Sequence, residues 1–490
     1  MVLASSAACA APSPASDLAL LDALTWGATP TSFAALRALG REAWLAAQLR
    51  PGTPAALPAA VQSQIAAGQP QGELFDRVAA LDAQAKAANA LPDPDAKKAA
   101  QSAYQGALND ALRRAASTTI LRALYAPDQI RERMAWFWFN RFNVHQGKAN
   151  LRALVGDYLD GAIRPHALGR FRDLLAATLE HPAMLRYLDN AENAAGRINE
   201  NYARELMELH TLGVGGGYTQ HDVEELARIL TGAGIELRPE NPKLKPERQG
   251  DLVRRGLFLF NPARHDYGDK VLLGHALQGR GYSEIEQALD LLSRHPATAR
   301  NLSRAMAGYL MGRPPSEALV DRLAGVFTRT DGEIAAVLDA LAHAPEFTAG
   351  LGTGFKDPMR YVLSAVRLAY DDRVVLNTGP VQGWLNRLGE GLFNRSTPDG
   401  YPLDAAAWNG PGQLTTRFEI ARQIGGGPAG LFKATTPDAV EEPAFPLLQN
   451  ALYFGALGAT LAEPTRAALG RAISPQDWNT LFLSSPDFMH

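Results

Sequence analysis

A helical spacing of apolar residues runs through most of this 490-residue chain and limits it to an all-α fold. Apolar side chains recur every three or four residues, and alanine-rich stretches at 72–90 and 95–124 strengthen the signal, because alanine is the strongest helix former. Strand signals are confined to residues 256–260 and 270–273, which predict one hairpin around His265. We therefore expect a multi-helical globular protein with at most one short β-hairpin, and an α/α superhelical or toroid-like arrangement fits this description.

Glycine- and proline-rich stretches suggest how the helices are divided. A linker at residues 350–354 would separate a main helical domain, 19–350, from a smaller C-terminal helical part, 355–490, packed on the first. Similar stretches at 379–383, 396–402 and 425–430 predict loops. Residues 1–18 read as a signal-peptide remnant or a disordered linker.

Composition excludes several classes of protein. The 48 Lys+Arg and 51 Asp+Glu give a net charge of −3, which argues against a basic nucleic-acid-binding face and a polybasic membrane anchor. The single cysteine rules out an internal disulfide framework and a cysteine-based zinc cage. The sequence has no window of about 18 apolar residues, so we expect no membrane span. The phosphate-loop, dinucleotide-binding, zinc-protease and nucleophile-elbow motifs are absent from the sequence.

The first residues, MVLASSAACAAPSPASD, predict the compartment. Small residues leading to a Pro/Ser stretch are typical of the end of a secretory signal peptide, so we expect an exported protein of the periplasm or cell surface. Lipid attachment at Cys9 would make it a lipoprotein. The structural alternative is a disordered Ala/Ser tail.

An aromatic helix over residues 128–145 is apolar nearly all round and is expected to be buried. A functional alternative makes Trp138 and Asn140 part of a sugar-stacking platform. Arg164 and Asp189 are weaker substrate-binding candidates.

The densest polar cluster lies on a helix predicted over residues 197–212. Asn201, Glu205 and Glu208 fall at i, i+4 and i+7, hence on one face, while Arg204 can bridge Glu200 and Glu208. The structural alternative is an amphipathic helix with a salt-bridged solvent face. Ala203, Leu206, Met207 and His210 fall on the other, mostly apolar side. The functional alternative makes this segment a catalytic site, with the candidates Glu200, Asn201, Arg204, Glu205, Glu208 and His210, and Tyr202 as a substrate contact.

A second candidate is the loop segment Arg264-His265-Asp266-Tyr267-Gly268-Asp269-Lys270. An adjacent His-Asp pair can serve as general base or metal ligand, so His265 and Asp266 join the catalytic candidates and Lys270 the substrate-binding ones. A solvated loop is the structural alternative.

Several long phrases resemble a large bacterial family, the domain-of-unknown-function family numbered eighteen hundred. They are MAWFWFNRFNV, AIRPHALGRFRDLL, HPAMLRYLDN, NENYARELMELHTLGVGGGYTQHDVEELARILTG and HDYGDKVLLG. The resemblance implies export and frequent encoding beside a sulfatase-like companion, but no particular reaction. The family's motifs fall on residues 199–210 and on His265, Gly268 and Lys270, whereas Ala233 stands where the family usually has Trp.

Three functional hypotheses remain open. The first is an exported carbohydrate-active enzyme that cleaves a polysaccharide without a cofactor. As a glycoside hydrolase it would use Glu205 and Glu208 as its carboxylate pair; as a lyase it would neutralise a uronate with Asn201 and Arg204. A proton would then move through a histidine or tyrosine of the site, namely His210, His265 or Tyr202.

The second hypothesis is a metal-dependent hydrolase of an anionic substrate, with a divalent metal held by Glu205, Glu208, His265 and Asp266. The third is a non-enzymatic envelope scaffold, or a binding partner of the sulfatase-like protein.

Overall fold

The computed structural model describes residues 13–50, 55–70, 72–434 and 438–490. Helices hold 62% of the residues and strands 4%, which confirms the all-α prediction. The predictions for residues 1–12, including lipid attachment at Cys9, lie outside the described residues. Within the described ranges, no helix has both the length and the apolar character needed to cross a membrane.

The N-terminal helices lead into one deeply buried helix. They are α1 (Pro14–Leu24), α2 (Pro30–Leu39), α3 (Arg41–Gln48), α4 (Ala59–Gly68), α5 (Leu74–Ala90), α6 (Pro94–Tyr125) and α7 (Gln129–Arg141). The alanine-rich helices α5 and α6 form an antiparallel pair around the predicted break. Every residue of α7 from Gln129 to Asn140 is buried, as its all-round apolar pattern predicts.

The middle of the chain contains short helices interrupted by wider or tighter turns. A 3₁₀ turn (Leu151–Ala153), α8 (Val155–Asp157), a π-helical turn (Tyr158–Ile163) and a second 3₁₀ turn (Arg164–His166) follow one another directly. Then come α9 (Phe171–Glu180), α10 (Pro182–Tyr187), α11 (Glu200–Glu205) with a π-helical turn at Leu206–His210, and α12 (Gln220–Ile229). Thr219 and Asp222 form the reciprocal capping box that starts α12.

The strands correct the predicted single hairpin. β1 (Ala233–Ile235), β2 (Val253–Arg255) and β3 (Phe258–Phe260) form an antiparallel sheet in the order β1-β3-β2. β4 (Lys270–Leu272) pairs instead with β5 (His275–Leu277). The two predicted strand segments therefore do not pair with each other, because β3 pairs with β1 and β2 and β4 pairs with β5, and these partner segments have three residues each, too few to give a strand signal.

The C-terminal half is again helical. It contains α13 (Tyr282–Arg294), α14 (Pro296–Met311), α15 (Glu317–Arg329), α16 (Ile334–Ala342), α17 (Pro345–Ala349), α18 (Pro358–Tyr370), α19 (Gly379–Arg387), α20 (Pro411–Gly426), a π-helical turn (Tyr453–Leu457), α21 (Gly458–Thr460), α22 (Glu463–Leu469), α23 (Pro475–Leu483) and α24 (Pro486–Met489). All of α18 is buried. Gly27 approaches it so closely that a Cβ there would lie 2.4 Å from the Cβ of Ser364. One hydrophobic core thus includes residues from both sides of the predicted linker at 350–354.

Candidate functional site

The central motif forms α11 and the π-helical turn that continues it. The Asn199 side chain accepts a hydrogen bond from the Asn201 backbone N–H at 3.0 Å and so caps the helix. On the outer side, Asn201 is exposed and Glu205 and Glu208 are half-buried. The inner side is buried in the core and consists of Tyr202, Ala203, Leu206, Met207 and His210. The helical spacing therefore gives the correct division of this segment into two faces.

A loop from the C-terminal half lies beside this outer face. The Tyr187 hydroxyl, at the end of α10, donates to the Ser396 carbonyl at 2.8 Å. The Asn143 amide, just after α7, donates to the Arg395 and Thr397 carbonyls at 2.9 and 2.8 Å. These bonds fix residues 394–401 on the same surface as the central motif.

The charges of Glu208 and Asp399 both act on Glu205 there, and we call Glu205, Glu208 and Asp399 the acidic surface. Partial burial, followed by the charge of Glu208, raises the pKa of Glu205. Asp399 acts in the same direction, and Arg204 opposes it. Among the described residues no donor bonds to the Glu205 carboxyl group.

Tyrosine hydroxyl groups border the acidic surface on two sides. The Tyr218 hydroxyl donates to Glu208 Oε2 at 3.2 Å and so orients that carboxylate. Desolvation raises the pKa of Tyr187 to about 12, and the charges of Asp399 and Glu205 add to the effect. Both phenols are therefore neutral donors at neutral pH.

The remaining polar residues of α11 are already paired. Glu200 Oε2 accepts hydrogen bonds from Arg204 at 3.2 Å and from the Gln220 amide at 2.8 Å. Arg204 also donates to Gln220 Oε1 at 2.7 Å. Of the predicted bridge from Arg204 to Glu200 and Glu208, the described structure thus contains the Glu200 half, with Gln220 in place of Glu208, and the triangle ties α11 to α12.

Asp189 lies at the edge of this region in a left-handed conformation, with φ 61°. Its carboxylate accepts a hydrogen bond from Lys148 at 2.7 Å, and its backbone carbonyl accepts one from Asn199 at 3.0 Å. The Asn201 amide donates to the Leu188 carbonyl at 3.4 Å. The carboxylate remains about half exposed, so Asp189 keeps a surface that a ligand can reach.

His210 lies in the core, away from solvent. Its ring is fully buried against Phe142 and Tyr202, and neither ring nitrogen has a hydrogen-bond partner in the described part of the chain. Burial, with a smaller contribution from Arg141, lowers the pKa of His210 to about 3. It is therefore a neutral core side chain.

His265 and Lys270 form a buried ion-pair network with Glu284. His265 Nε2 donates to Glu284 Oε1 at 2.9 Å, and Lys270 Nζ donates to Oε2 at 2.5 Å. His265 Nδ1 faces the Thr231 carbonyl at 2.8 Å. All three side chains of the network are fully buried. Burial alone would raise the pKa of Glu284, but the hydrogen bonds from His265 and Lys270 outweigh it and lower the pKa.

Asp266 is engaged by a neighbouring arginine. Arg228 donates to both its oxygens, at 2.9 and 3.2 Å, and these bonds lower the pKa of Asp266 to about 2. The four residues considered for a metal site, Glu205, Glu208, His265 and Asp266, do not come together. Among the described residues no three His, Cys, Asp or Glu side chains form a group suited to a metal ion.

Trp138, Asn140 and Arg164 have structural contacts. The fully buried Trp138 ring donates from Nε1 to the Ala167 carbonyl at 3.0 Å, so it presents no face on which a sugar could stack. Asn140 makes paired bonds with the backbone of Tyr401, at 2.9 and 2.6 Å. Buried Arg164 bonds to Glu132 and to Asp160.

The residues that sequence reasoning missed are Tyr187, Tyr218, Asp399 and Arg395, whose guanidinium lies 3.4 Å from the Asp399 carboxylate. Residues 396–402 are predicted only as a loop, because local sequence patterns do not predict which distant surface a loop contacts. Tyr218 follows the glycine-rich stretch 213–217 and could have been found as the one aromatic residue beside the motif helix.

A second carboxylate pair, Glu390 and Asp357, lies in the interior. Burial, followed by the charge of Asp357, raises the pKa of Glu390 well above its usual range. Glu390 accepts hydrogen bonds from the Met359 N–H at 3.0 Å and from Trp136 Nε1 at 3.4 Å. The adjoining cavity of about 20 Å³ has room for one water molecule, so this pair is not open to a polymer.

Comparison with known proteins gives a family. The model of the family described as "Protein of unknown function (DUF1800)" matches residues 19–490, and the chain belongs to that family. No curated protein and no solved structure matches the chain.

Proposed function

We propose that this member of the DUF1800 family is an exported enzyme that hydrolyses a polysaccharide at the acidic surface, with Glu205 as the general acid. The observation that carries the proposal is the state of Glu205. Its carboxyl group is half-buried, has a raised pKa and has no hydrogen-bond donor among the described residues, while Glu208 stands nearby with an orienting tyrosine.

Glycoside hydrolysis needs two carboxyl groups in different protonation states. One is protonated and gives its proton to the departing sugar oxygen, and the other is ionised and activates water or attacks the sugar. Partial burial and the neighbouring charge of Glu208 favour the proton on Glu205. Glu208, which accepts a hydrogen bond from Tyr218, then takes the role of base or nucleophile.

The burial pattern favours hydrolysis over a lyase reaction. Lyase chemistry requires a group that removes a proton from the sugar ring, and the candidates for that step were His210, His265 and Tyr202. All three side chains are buried in the core. The Tyr187 and Tyr218 hydroxyls at the acidic surface have raised pKa values, which disfavours either of them as the base. Hydrolysis uses Glu205 and Glu208, both of which reach solvent.

A non-enzymatic binding role is the second candidate, and exposed apolar side chains favour it. In the C-terminal half, Phe445, Leu447, Phe454 and Ile473 are each more than two-thirds exposed. Apolar surface of this kind is typical of a protein–protein contact. A sulfatase-like companion protein would be the partner in this case.

The test is product formation from a panel of neutral, uronic and sulfated polysaccharides. Reducing ends report any chain cleavage, and ultraviolet absorbance of unsaturated uronates reports lyase cleavage alone. The variants are Glu205→Gln and Glu208→Gln, with Glu192→Gln as the matched control, because Glu192 is an exposed glutamate close to the same helix.

We expect reducing ends without new absorbance. Each site variant should lose at least about 100-fold in kcat, as removal of a general acid or base typically causes, with an unchanged melting temperature. The control should retain full activity. New absorbance would show that the enzyme cleaves its substrate as a lyase and not by hydrolysis. Silence across the whole panel, or equal activity of wild type and both site variants, would overturn the proposal and favour the binding role.

A further inference from the structure

A separate cleft lies between the α5–α6 pair and the interrupted segment 151–160. Its volume is about 520 Å³, which is within the range of small-molecule binding sites. None of the residues of the acidic surface lines it. Gly156 allows the two walls to approach closely, because a Cβ at this position would lie 2.9 Å from the Cβ of Ala115.

Three arginines line this cleft, and none of them forms an ion pair with a carboxylate of the described residues. Half-buried Arg114 has no hydrogen bond or ion pair with any residue that the structure describes. Within the described part of the chain, Arg77 donates only to the Gly72 carbonyl, at 2.7 Å. Arg152 donates to the side-chain amide oxygens of Asn109 and Gln105, which are uncharged. The cleft therefore carries uncompensated positive charge.

Two aspartates also line the cleft, and each has a partner. Asp160 accepts two hydrogen bonds from Arg164, at 3.2 and 2.9 Å, and shares that guanidinium with the buried Glu132. Asp157 accepts a hydrogen bond from His181 Nε2 at 3.0 Å. His181 Nδ1 accepts a hydrogen bond from the Ala183 N–H, so this imidazole is neutral. In the described lining of the cleft, two carboxylates therefore stand beside three guanidinium groups, which leaves a small excess of positive charge.

The floor of the cleft is apolar. Val78, Leu81, Ala111 and Ala115 contribute aliphatic side chains from the facing sides of α5 and α6. A site with an apolar floor and cationic groups suits a molecule that has an apolar part and an anionic group. The modest excess of positive charge suits one or two negative charges rather than a polyanion.

We propose that this cleft binds an organic anion, that is, a phosphate, sulfate or carboxylate group on an apolar body. The guanidinium of Arg114, with those of Arg77 and Arg152, takes the anionic group. The apolar body lies over Val78 and Leu81.

Titration calorimetry with octyl phosphate tests this inference on the full chain. Inorganic phosphate supplies the anion without the apolar body, and octyl glucoside supplies the apolar body without the charge. We expect saturable binding of octyl phosphate below its micelle concentration and much weaker binding of both controls. Co-sedimentation with vesicles that contain anionic phospholipid distinguishes a free ligand from a membrane lipid as the source of the anion.

Two variants place the binding in the cleft. Arg114→Gln should weaken octyl phosphate binding at least about tenfold, as expected for the loss of a charged hydrogen bond. Arg113→Gln is the matched control, because this neighbouring arginine is exposed and pairs with Asp110, and it should bind as wild type does. Ala111→Phe should fill the cleft and remove binding without lowering the melting temperature.

Equal loss in the Arg114 and Arg113 variants would overturn the inference, as would equal binding of octyl phosphate and octyl glucoside. Absence of saturable binding to the wild-type protein would also overturn it.

Discussion

Replacing Glu284 by glutamine tests whether the second predicted catalytic segment is structural. Glu284 accepts hydrogen bonds from His265 at 2.9 Å, Lys270 at 2.5 Å and the Gly281 N–H at 2.8 Å. Its side chain is fully buried. Glutamine keeps the shape but removes the negative charge, so the buried ammonium of Lys270 loses its counter-ion. Breaking a buried pair in this way costs about 3–5 kcal/mol of unfolding free energy.

Urea unfolding followed by circular dichroism measures this change directly. The matched control is Glu317→Gln, because Glu317 also bonds to two cationic side chains but is largely exposed. It should show no resolvable shift of the unfolding midpoint. If Glu284→Gln lowers the free energy of unfolding by less than about 1 kcal/mol, the interpretation of this network as a buried ion pair is refuted.

A double variant and a pH series check the same reasoning. Lys270→Met combined with Glu284→Gln removes both charges and keeps an amide oxygen for His265 and the Gly281 N–H, so it should be less destabilising than Glu284→Gln alone. The pKa of Glu284 is lowered in the folded state. Its stabilisation is therefore complete above the unfolded pKa, which lies near 4.5, and is lost as pH falls through the lower folded value. Stability that stays constant through this range would contradict the lowered pKa.

Three further predictions concern the candidate site and its support. Trp138→Phe removes the bond to the Ala167 carbonyl and should cost about 1–3 kcal/mol with KM unchanged; a raised KM would restore a substrate role. Gly400→Ala should displace its loop and lower activity, since φ is +74° and the new Cβ would lie 2.1 Å from the Asn140 carbonyl oxygen; unchanged resistance of this loop to limited proteolysis would contradict this. The pKa of Glu205 is raised, so the alkaline limb of the pH–rate profile should lie above the usual glutamate range. An alkaline limb within the usual glutamate range would exclude Glu205 as the acid.

Sequence periodicity predicts helices well here because local spacing decides which face of a helix is buried. The outer and inner faces of α11 follow from i, i+4 and i+7 spacing alone. The same is true of α7, whose all-round apolar pattern predicts burial and thus argues against an exposed Trp138.

Contacts between distant parts of the chain could not be predicted in this way. His265 and Asp266 are adjacent in sequence, yet one bonds to Glu284 and the other to Arg228. Likewise, Asp399 influences Glu205 across much of the chain. Patterns in a single sequence carry no information about such pairings. Only the fold shows which candidate residues belong to buried networks and which lie on an accessible surface.

The π-helical turn at Leu206–His210 bears on whether Glu205 and Glu208 can act on one sugar. In a regular helix, side chains three residues apart have Cβ atoms about 5–6 Å apart, which constrains any pair that must bracket a glycosidic bond. A π-helical turn contains an extra residue, so it changes the direction of Glu208 relative to Glu205, and such turns are frequent at functional sites. Thr211 supports the turn, because its hydroxyl donates to the Leu206 carbonyl at 2.7 Å.

Thr211→Val should therefore affect catalysis more than stability. The change keeps the side-chain shape and removes the hydroxyl, which should cost about 1–3 kcal/mol of unfolding free energy. Thr178→Val is the matched control, because this buried threonine donates to the Leu175 carbonyl at 3.0 Å within an ordinary helix. At similar losses of stability, Thr211→Val should lower kcat strongly and Thr178→Val should not. Equal kcat in the two variants would mean that the π-helical turn does not set the geometry of the carboxylate pair.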